Sequence, residues 1–372
     1  MAILAIVIAL HVLPAARGRT EDHLDYKFEY YAEENGRIEV ETHSAFAEKS
    51  LGSKLALQVE YVHDVISGAT PTGGPPPPGS AKVPTADMED VRDAGNIVLD
   101  WRFGDHTFSP QFAYSVESDY ESFGFSATDA IDFNEKNTTL VLGIAQTLDR
   151  IQPLFWSAPR HKDSTDILIG VNQLLSPKTI FTANFTFGYS WGYLADPYKR
   201  IRFDDYPDPT AVFPEQRPDH KAREIVYLGL THFIGELNGS AEASYRFYHD
   251  SFGIWSQTVT LAWYQKIGKH VVLSPMFRFY DQTAADFYHV RLPGDPSDPD
   301  NPTPIPDSYS ADYRLSSMET LTFGIKATVK INEHVGLDAA FNRYEMYGSD
   351  GVTPKGQYPK ANVFTVGGRI WF

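Results

Sequence analysis

Short and long connections alternate along this chain, and few folds require that. About sixteen segments repeat an apolar residue at every second position, the period of a β-strand with two unlike faces. Their spans are 24–33, 37–48, 54–64, 93–103, 107–118, 120–131, 137–149, 163–175, 179–193, 222–234, 239–250, 253–266, 270–281, 312–331, 335–347 and 361–372. Even-numbered strands are followed by tight links such as "GDH", "FNEK", "SPK", "GELN", "KIGK" and "INEH". Odd-numbered strands often lead into long ones: Val65 to Arg92, Tyr193 to Lys221, Gln282 to Ala311, and "GSDGVTPKGQYPK". A soluble sandwich or propeller has no reason to sort loop length by parity. An antiparallel up-and-down barrel crossing a membrane does, with short periplasmic turns, long extracellular loops and both termini on the periplasmic side. The segments are also about ten to thirteen residues long, beyond the usual five or six of soluble strands and matched to a tilted bilayer crossing.

The fold expected is therefore all-β: a transmembrane barrel of about sixteen strands. Pro110 and Pro275 fall inside predicted strands and each removes one ladder donor. In 222–234 the run "IVYLGL" is apolar on both faces, so its phase is open. At the amino end, "AILAIVIALHVLP" followed by "AARG" reads as a signal-peptide core and cleavage region, although no Lys or Arg precedes it. Residues 1–18 are then the signal peptide and 19–372 the barrel.

Closure requires the last strand to pair with the first. The chain ends "VFTVGGRIWF", with Phe364, Ile370 and Phe372 on one face. An alternating terminal strand ending in Phe resembles the signal read by the barrel assembly machinery of Gram-negative bacteria. That machinery and outer-membrane lipid are the expected partners.

The phrases "YYAEENGRIEVET", "SGATPTG", "DFNEKNTTL", "LADPYKR", "RPDHKAR", "YRFYHDSFGI" and "RFYDQTAADFY" together resemble one family, a set of outer-membrane barrels called domain of unknown function 3570. The resemblance covers nearly the whole mature chain. It implies a location in the outer membrane of a Gram-negative bacterium and brings no activity or catalytic residue. Neighbouring genes for flavin attachment and thioredoxin-like proteins, where they accompany the family, imply an envelope redox setting and a partner protein there.

Composition narrows function. With 48 acidic and 32 basic residues the net charge is −16, which argues against nucleic acid as a partner. The chain has no cysteine, hence no disulfide or thiolate site. If the apolar faces meet lipid, the opposite faces present Asp25, Lys27, Glu29, Arg37, Glu39, Glu41, Gln58, Glu60, Asp100 and Arg102, then Glu242, Arg246, Arg278, Lys326, Asp338 and Arg369. Such charges select solutes in a pore or pair across strands to brace its wall. Tyr31, Trp101, Trp191, Trp255, Trp263 and Trp371 suit interfacial girdles. The proline run in "GATPTGGPPPPGS" favours a stiff extended loop that could constrict the mouth or stand in solvent. Asp204, Asp205 and Asp208 are weak candidates for Ca²⁺ against the reading of solvated charge. His249, Asp250 and Ser251 have the residue types of a hydrolase triad, yet neighbours on a strand face opposite ways. No cofactor motif is present. The expectation is a non-enzymatic, passive porin-like channel for small solutes, with cations favoured by the acidic balance. The alternative is a non-conducting barrel that anchors or exports an envelope redox partner.

Overall fold

The computed structural model describes residues 22–76, 80, 82–298, 300 and 302–372. The proposed signal peptide, and part of the proline run, lie outside the described residues.

Sixteen strands close into one antiparallel barrel. They are β1 (His23–Glu33), β2 (Glu39–Ser50), β3 (Leu55–Pro71), β4 (Thr85–Phe103), β5 (His106–Val116), β6 (Tyr120–Phe133), β7 (Thr138–Ile151), β8 (Arg160–Ser176), β9 (Thr179–Gly192), β12 (His220–Ile234), β13 (Gly239–Asp250), β14 (Trp255–Ile267), β15 (Val271–Gln282), β16 (Met318–Lys330), β17 (Val335–Gly348) and β18 (Lys360–Trp371). Two further short strands, β10 (Arg200–Ile201) and β11 (Phe213–Pro214), form a hairpin within the long β9–β12 connection. Each barrel strand pairs with its chain neighbours, β9 with β12, and β1 closes on β18 from His23↔Trp371 to Glu33↔Ala361. The spanning sheet thus has no open edge, which hydrocarbon demands.

The faces are inverted relative to a soluble protein. On β7, Ile144 is 54% exposed while its neighbour Ala145 is 4% exposed; on β8, Ile167 is 48% and Leu168 3%. Leu24, Ile97, Phe125, Leu230, Phe323 and Val366 continue that outward apolar belt. The belt meets acyl chains, and the alternate residues face the lumen. Trp101, Trp191, Trp255 and Trp263 lie on the outward side near strand ends, whereas the register puts Tyr31 and Trp371 on the lumenal side. Those two are corrections to the girdle assignment.

Both prolines sit within continuous strands. Pro110 keeps its pairing with Ala127 and Pro275 with Ile325, while the ladder lapses for two residues on the other flank, between Val98↔Gln111 and Trp101↔Phe108 and between Ala262↔Met276 and Gln265↔Leu273. An antiparallel residue spends its N–H on one neighbour only, so proline costs the barrel one flank locally and not the strand.

The connections differ from expectation at two places. β3 and β4 run on as a paired hairpin to Pro71↔Thr85, so much of the expected 65–92 loop is strand. The segment 312–317 belongs to a loop, and β16 starts at Met318. At the tight-turn end the chain uses residues that tolerate left-handed backbone, such as Gly104 at φ +57° in the two-residue β4–β5 link.

The inverted faces generate a direct test. Ile144→Arg, placing a charge mid-strand in the lipid belt, should cost about 2–4 kcal/mol in reversible urea unfolding from lipid vesicles. Thr128→Lys on the lumenal side of β6 should cost under about 1 kcal/mol by the same measurement. Equal costs would mean that the faces are assigned wrongly.

Candidate functional site: a roofed, charge-divided lumen

Strand register fixes which charges share the lumen. Asp25, Lys27, Glu29, Gln58, Glu60, Asp100, Arg102, Glu242, Arg246, Arg278, Lys326, Asp338 and Arg369 all fall on the lumenal side. Some are spent on the wall. Arg369 grips Asp25 across the closing seam with two bonds of 2.6 and 2.5 Å, and Lys326 lies 3.2 Å from Asp338. Asp100 accepts from Ser109 Oγ at 2.6 Å and Gln58 Nε2 at 3.1 Å, and Glu242 from the Tyr264 hydroxyl at 3.0 Å.

Three predicted residues are elsewhere. Glu39 and Glu41 face outward, because β2 turns Val40, Thr42, Ser44 and Phe46 to the lumen opposite Tyr31, Glu29, Lys27 and Asp25. The apolar set of β2 was read as lipid-facing, but its outer half stands in the polar headgroup zone, where the rule of apolar residues outward lapses. Arg37 is in the β1–β2 loop, bound to Glu33 at 2.8 Å and to the Gly356 and Gln357 carbonyls at 3.0 and 2.9 Å. It fastens two extracellular loops together.

Several other mid-lumen charges have no partner of opposite sign among the described residues. Glu29 accepts only a hydroxyl bond, from Thr365 at 3.0 Å, and Glu60 only an amide bond, from Asn96 at 2.8 Å, among the described residues. Arg246 lies over the Tyr248 ring at 5.7 Å and Arg278 donates to Thr260 at 3.2 Å; neither has a carboxylate partner among the described residues. β3 and β13 stand eight strands apart in a ring of sixteen, so Glu60 and Arg246 are diametrically opposed. Glu29 and Glu60 on β1–β3 therefore face Arg246 and Arg278 on β13–β15, while Lys27 stands on the first side and Glu242 on the second.

Sequence reading missed a second set, on β6–β9 and β12. Lys162 pairs with Asp149 at 2.9 Å, and Arg223 holds both oxygens of Asp166 at 2.7 Å. Gly188 makes room for the latter pair, since a Cβ there would lie 2.3 Å from Asp166 Oδ1 and 2.5 Å from Arg223 Nε. A glycine inside a strand was the available signal for this close approach. The ambiguous phase of "IVYLGL" hid Arg223. These groups, with Tyr120, Tyr227, Tyr248 and Arg246, line a cavity of about 690 Å³ in the outer half of the lumen.

Leu194, Arg217, Phe252 and Leu315 close that cavity from above. They belong to the loops after β9, β13 and β15. Segments 193–219 and 283–317 zip together through Gln216–Tyr309 backbone bonds of 2.9 and 2.6 Å and through Asp204–Leu292 at 2.8 Å. Ile201, Phe203, Leu292 and Ala311 form an apolar core between them, and Phe252, Ile254, Ala285, Phe287 and Leu315 form another. Beside these cores lies a buried ion network. Arg314 bonds Asp312 at 2.9 Å and Asp196 at 2.7 Å; Arg217 bonds Glu215 at 2.7 Å and Asp312 at 2.9 Å. Lys199, 2% exposed, donates to the Pro71 carbonyl at 2.5 Å and so ties the roof to the β3–β4 hairpin. Burial pushes the Glu215 carboxyl up and the Lys199 ammonium down; it also works against Asp312, which Arg314 and Lys199 nonetheless hold well below the usual carboxylate range.

The expected Ca²⁺ candidates do not converge. Asp204 sits by Arg202 and Arg291 at 3.6 and 3.4 Å, Asp205 accepts from Gly294 N at 2.6 Å, and Asp208 from Thr210 N at 2.8 Å. A different acidic group does converge at the outer rim: one oxygen from each of Asp90, Glu117 and Asp119 lies within 4.8 Å of the others. Burial, then the charge of Asp90, pushes Glu117 up to about 7. His249 and Asp250 point to opposite sides, His249 toward Glu224 at 3.5 Å and Asp250 toward the Phe252 and Ile254 amides at 3.0 and 3.2 Å; Ser251 Oγ accepts from Ala222 N at 3.0 Å. They do not form a shared site.

Comparison with known proteins agrees on architecture. The chain is similar to a bacterial polysaccharide outer-membrane secretin, with 8% identity, TM-score 0.50, and coverage of 96% of this chain and 100% of that one. OmpTdeltaL8, a loop-deletion mutant of an outer-membrane protein of Vibrio cholerae, aligns at 9% identity and TM-score 0.42, over 95% and 98% of the two chains. The siderophore receptor PirA of Pseudomonas aeruginosa aligns at 10% identity and TM-score 0.44 over 95% of this chain; this chain spans 61% of that receptor. No curated protein matches the sequence. The family described as "Protein of unknown function (DUF3570)" matches residues 2–161 and 156–368. The chain belongs to that family and is a barrel of the outer membrane of Gram-negative bacteria.

Proposed function

We propose that the protein is a passive, porin-like channel for small polar solutes, in which opposed wall charges orient the solute and the folded outer loops limit its size. The observation that carries this reading is the placement of Glu29 and Glu60 opposite Arg246 and Arg278, none of which has a partner of opposite charge among the described residues. Charges lining a water-filled lumen are costly to the wall unless water or a solute answers them, and opposed charges set a transverse field across the path. That field acts on dipolar and zwitterionic solutes as well as cations, so the net charge of −16 does not by itself set selectivity.

A barrel that does not conduct, and instead anchors a partner, is the second reading. The roof favours it, because segments 193–219 and 283–317 cover the mouth with apolar cores and buried ion pairs. Assembly in either case is expected to run through the barrel machinery, which the outward Phe364, Ile370 and Phe372 of the last strand would engage.

Single-channel conductance in a planar bilayer with a KCl gradient separates these readings. In the channel reading the refolded protein gives steps, Arg246→Glu moves the reversal potential toward cation selectivity, and Glu60→Gln moves it toward anions. A folded, heat-modifiable protein that stays silent supports anchoring. Arg314→Ala leaves Asp196 and Asp312 buried without their main cation and should cost the roof about 3 kcal/mol, seen as higher conductance and faster proteolysis of 193–219. Unchanged conductance with a demonstrably loosened roof would mean that the roof is not the gate. Deleting Phe372 should lower the amount of folded barrel in outer membranes several-fold while leaving refolding in detergent unchanged; loss in both would point to stability and not to recognition.

A further inference from the structure

We infer that the outer rim of the barrel holds a Ca²⁺ ion between Asp90, Glu117 and Asp119. Asp90 is on β4, and the other two flank Ser118 in the three-residue link from β5 to β6. The site is distinct from the acidic stretch at 204–208.

Three carboxylates with an oxygen apiece inside 4.8 Å repel one another unless a cation stands among them. The second, independent observation is Asp119. The residue is 5% exposed, and its Oδ1 is buried without a hydrogen-bond partner among the described residues. A bare carboxylate oxygen at that depth costs several kcal/mol, which a metal bond removes. The other oxygen, Oδ2, accepts from the Tyr198 hydroxyl, so Asp119 is fixed in place and is not free to swing into water. Asp90 is fixed as well, by the Ser118 amide and hydroxyl at 3.1 Å each. Arg92, the cation that acts on Glu117, is itself bonded to Asp64 at 2.6 Å.

The ligand chemistry selects the ion. All donors are hard oxygens, and the described residues around the cluster offer no thiolate or imidazole to favour zinc. Three carboxylates, each able to bind through one or two oxygens, leave room for water in a coordination shell of six to eight, which suits Ca²⁺ better than the strict octahedron of Mg²⁺. The ion would clamp the β5–β6 link to the β3–β4 hairpin and, through Asp119 and Tyr198, to the roof segment after β9. This holds whether or not the barrel conducts.

The probe is Tb³⁺, excited through nearby tyrosines such as Tyr198, added to the refolded full chain freed of lipopolysaccharide and treated with EGTA. One saturable site per chain is expected, displaced by CaCl₂ with a dissociation constant of about 10⁻⁴ to 10⁻³ M, the range of extracellular sites. Asp119→Asn and Glu117→Gln should each weaken Ca²⁺ at least tenfold, while Asp208→Asn leaves it unchanged. CaCl₂ should also raise the heat-modifiability midpoint of the wild type and not that of Asp119→Asn. If Asp119→Asn fails to fold, Glu117→Gln and Asp90→Asn, at less buried positions, carry the test. No saturable site in the folded wild type, or unchanged affinity in folded Glu117→Gln and Asp90→Asn, would overturn the inference. Competition by MgCl₂ equal to that of CaCl₂ would overturn the assignment to Ca²⁺.

Discussion

The constraint on which everything else rests is the backbone hydrogen bond in hydrocarbon. No water is available there to satisfy an open N–H or carbonyl, so a sheet that crosses a bilayer has to close. β1 and β18, at opposite ends of the chain, must therefore meet in register, and Arg369 on Asp25 marks that meeting on the lumenal side. The apolar outer belt follows from the same medium: Ile144 and Val366 belong outside because hydrocarbon is outside. With the outer face committed to lipid, every charge that the central strands carry is confined to the lumen or to the strand ends. A polar interior is thus a consequence of closure before it is an adaptation to transport.

In the proposed channel reading, what function adds is the distribution of those charges. Most of the wall pairs are local and balanced, as in Lys162 with Asp149 or Lys326 with Asp338, and they brace neighbouring strands. Glu29, Glu60, Arg246 and Arg278 do not follow that rule, since each bonds only to a neutral group among the described residues. Bracing alone would be better served by interleaving them. Their placement on opposite sides of the lumen, unpaired among the described residues, is the feature that a purely structural account leaves over.

The spanning half of this architecture was legible in the sequence because lipid enforces period two and topology enforces loop parity. About sixteen strands and the lumenal phase of Asp25, Lys326 and Arg369 could be read directly, whereas Pro110 and Pro275 counted against a regular barrel and nevertheless sit inside continuous strands. Legibility failed where lipid stops dictating. Glu39 and Glu41 were misread because the outer end of β2 lies beyond the apolar layer. The extensions of β3 and β4 to Pro71 and Thr85 rise into solvent, where "TPTGG" and "VPTADMED" carry no lipid signature.

The roof was illegible for a different reason. Its contacts join residues far apart in sequence, such as Arg314 to Asp196 and Lys199 to Pro71, and no local periodicity encodes them. The aspartates at 204–208 are exposed, as solvated charge should be, but nothing in composition pointed to Asp196 and Asp312, which are almost fully buried and spent on arginines. The carboxylates that do converge come from a strand and a three-residue link, with no run of acidic residues to mark them. In a barrel of this kind the sequence declares where the lipid is, and the chemistry collects at the solvent end, where the chain is free to fold back on itself and side chains from distant loops shape the mouth.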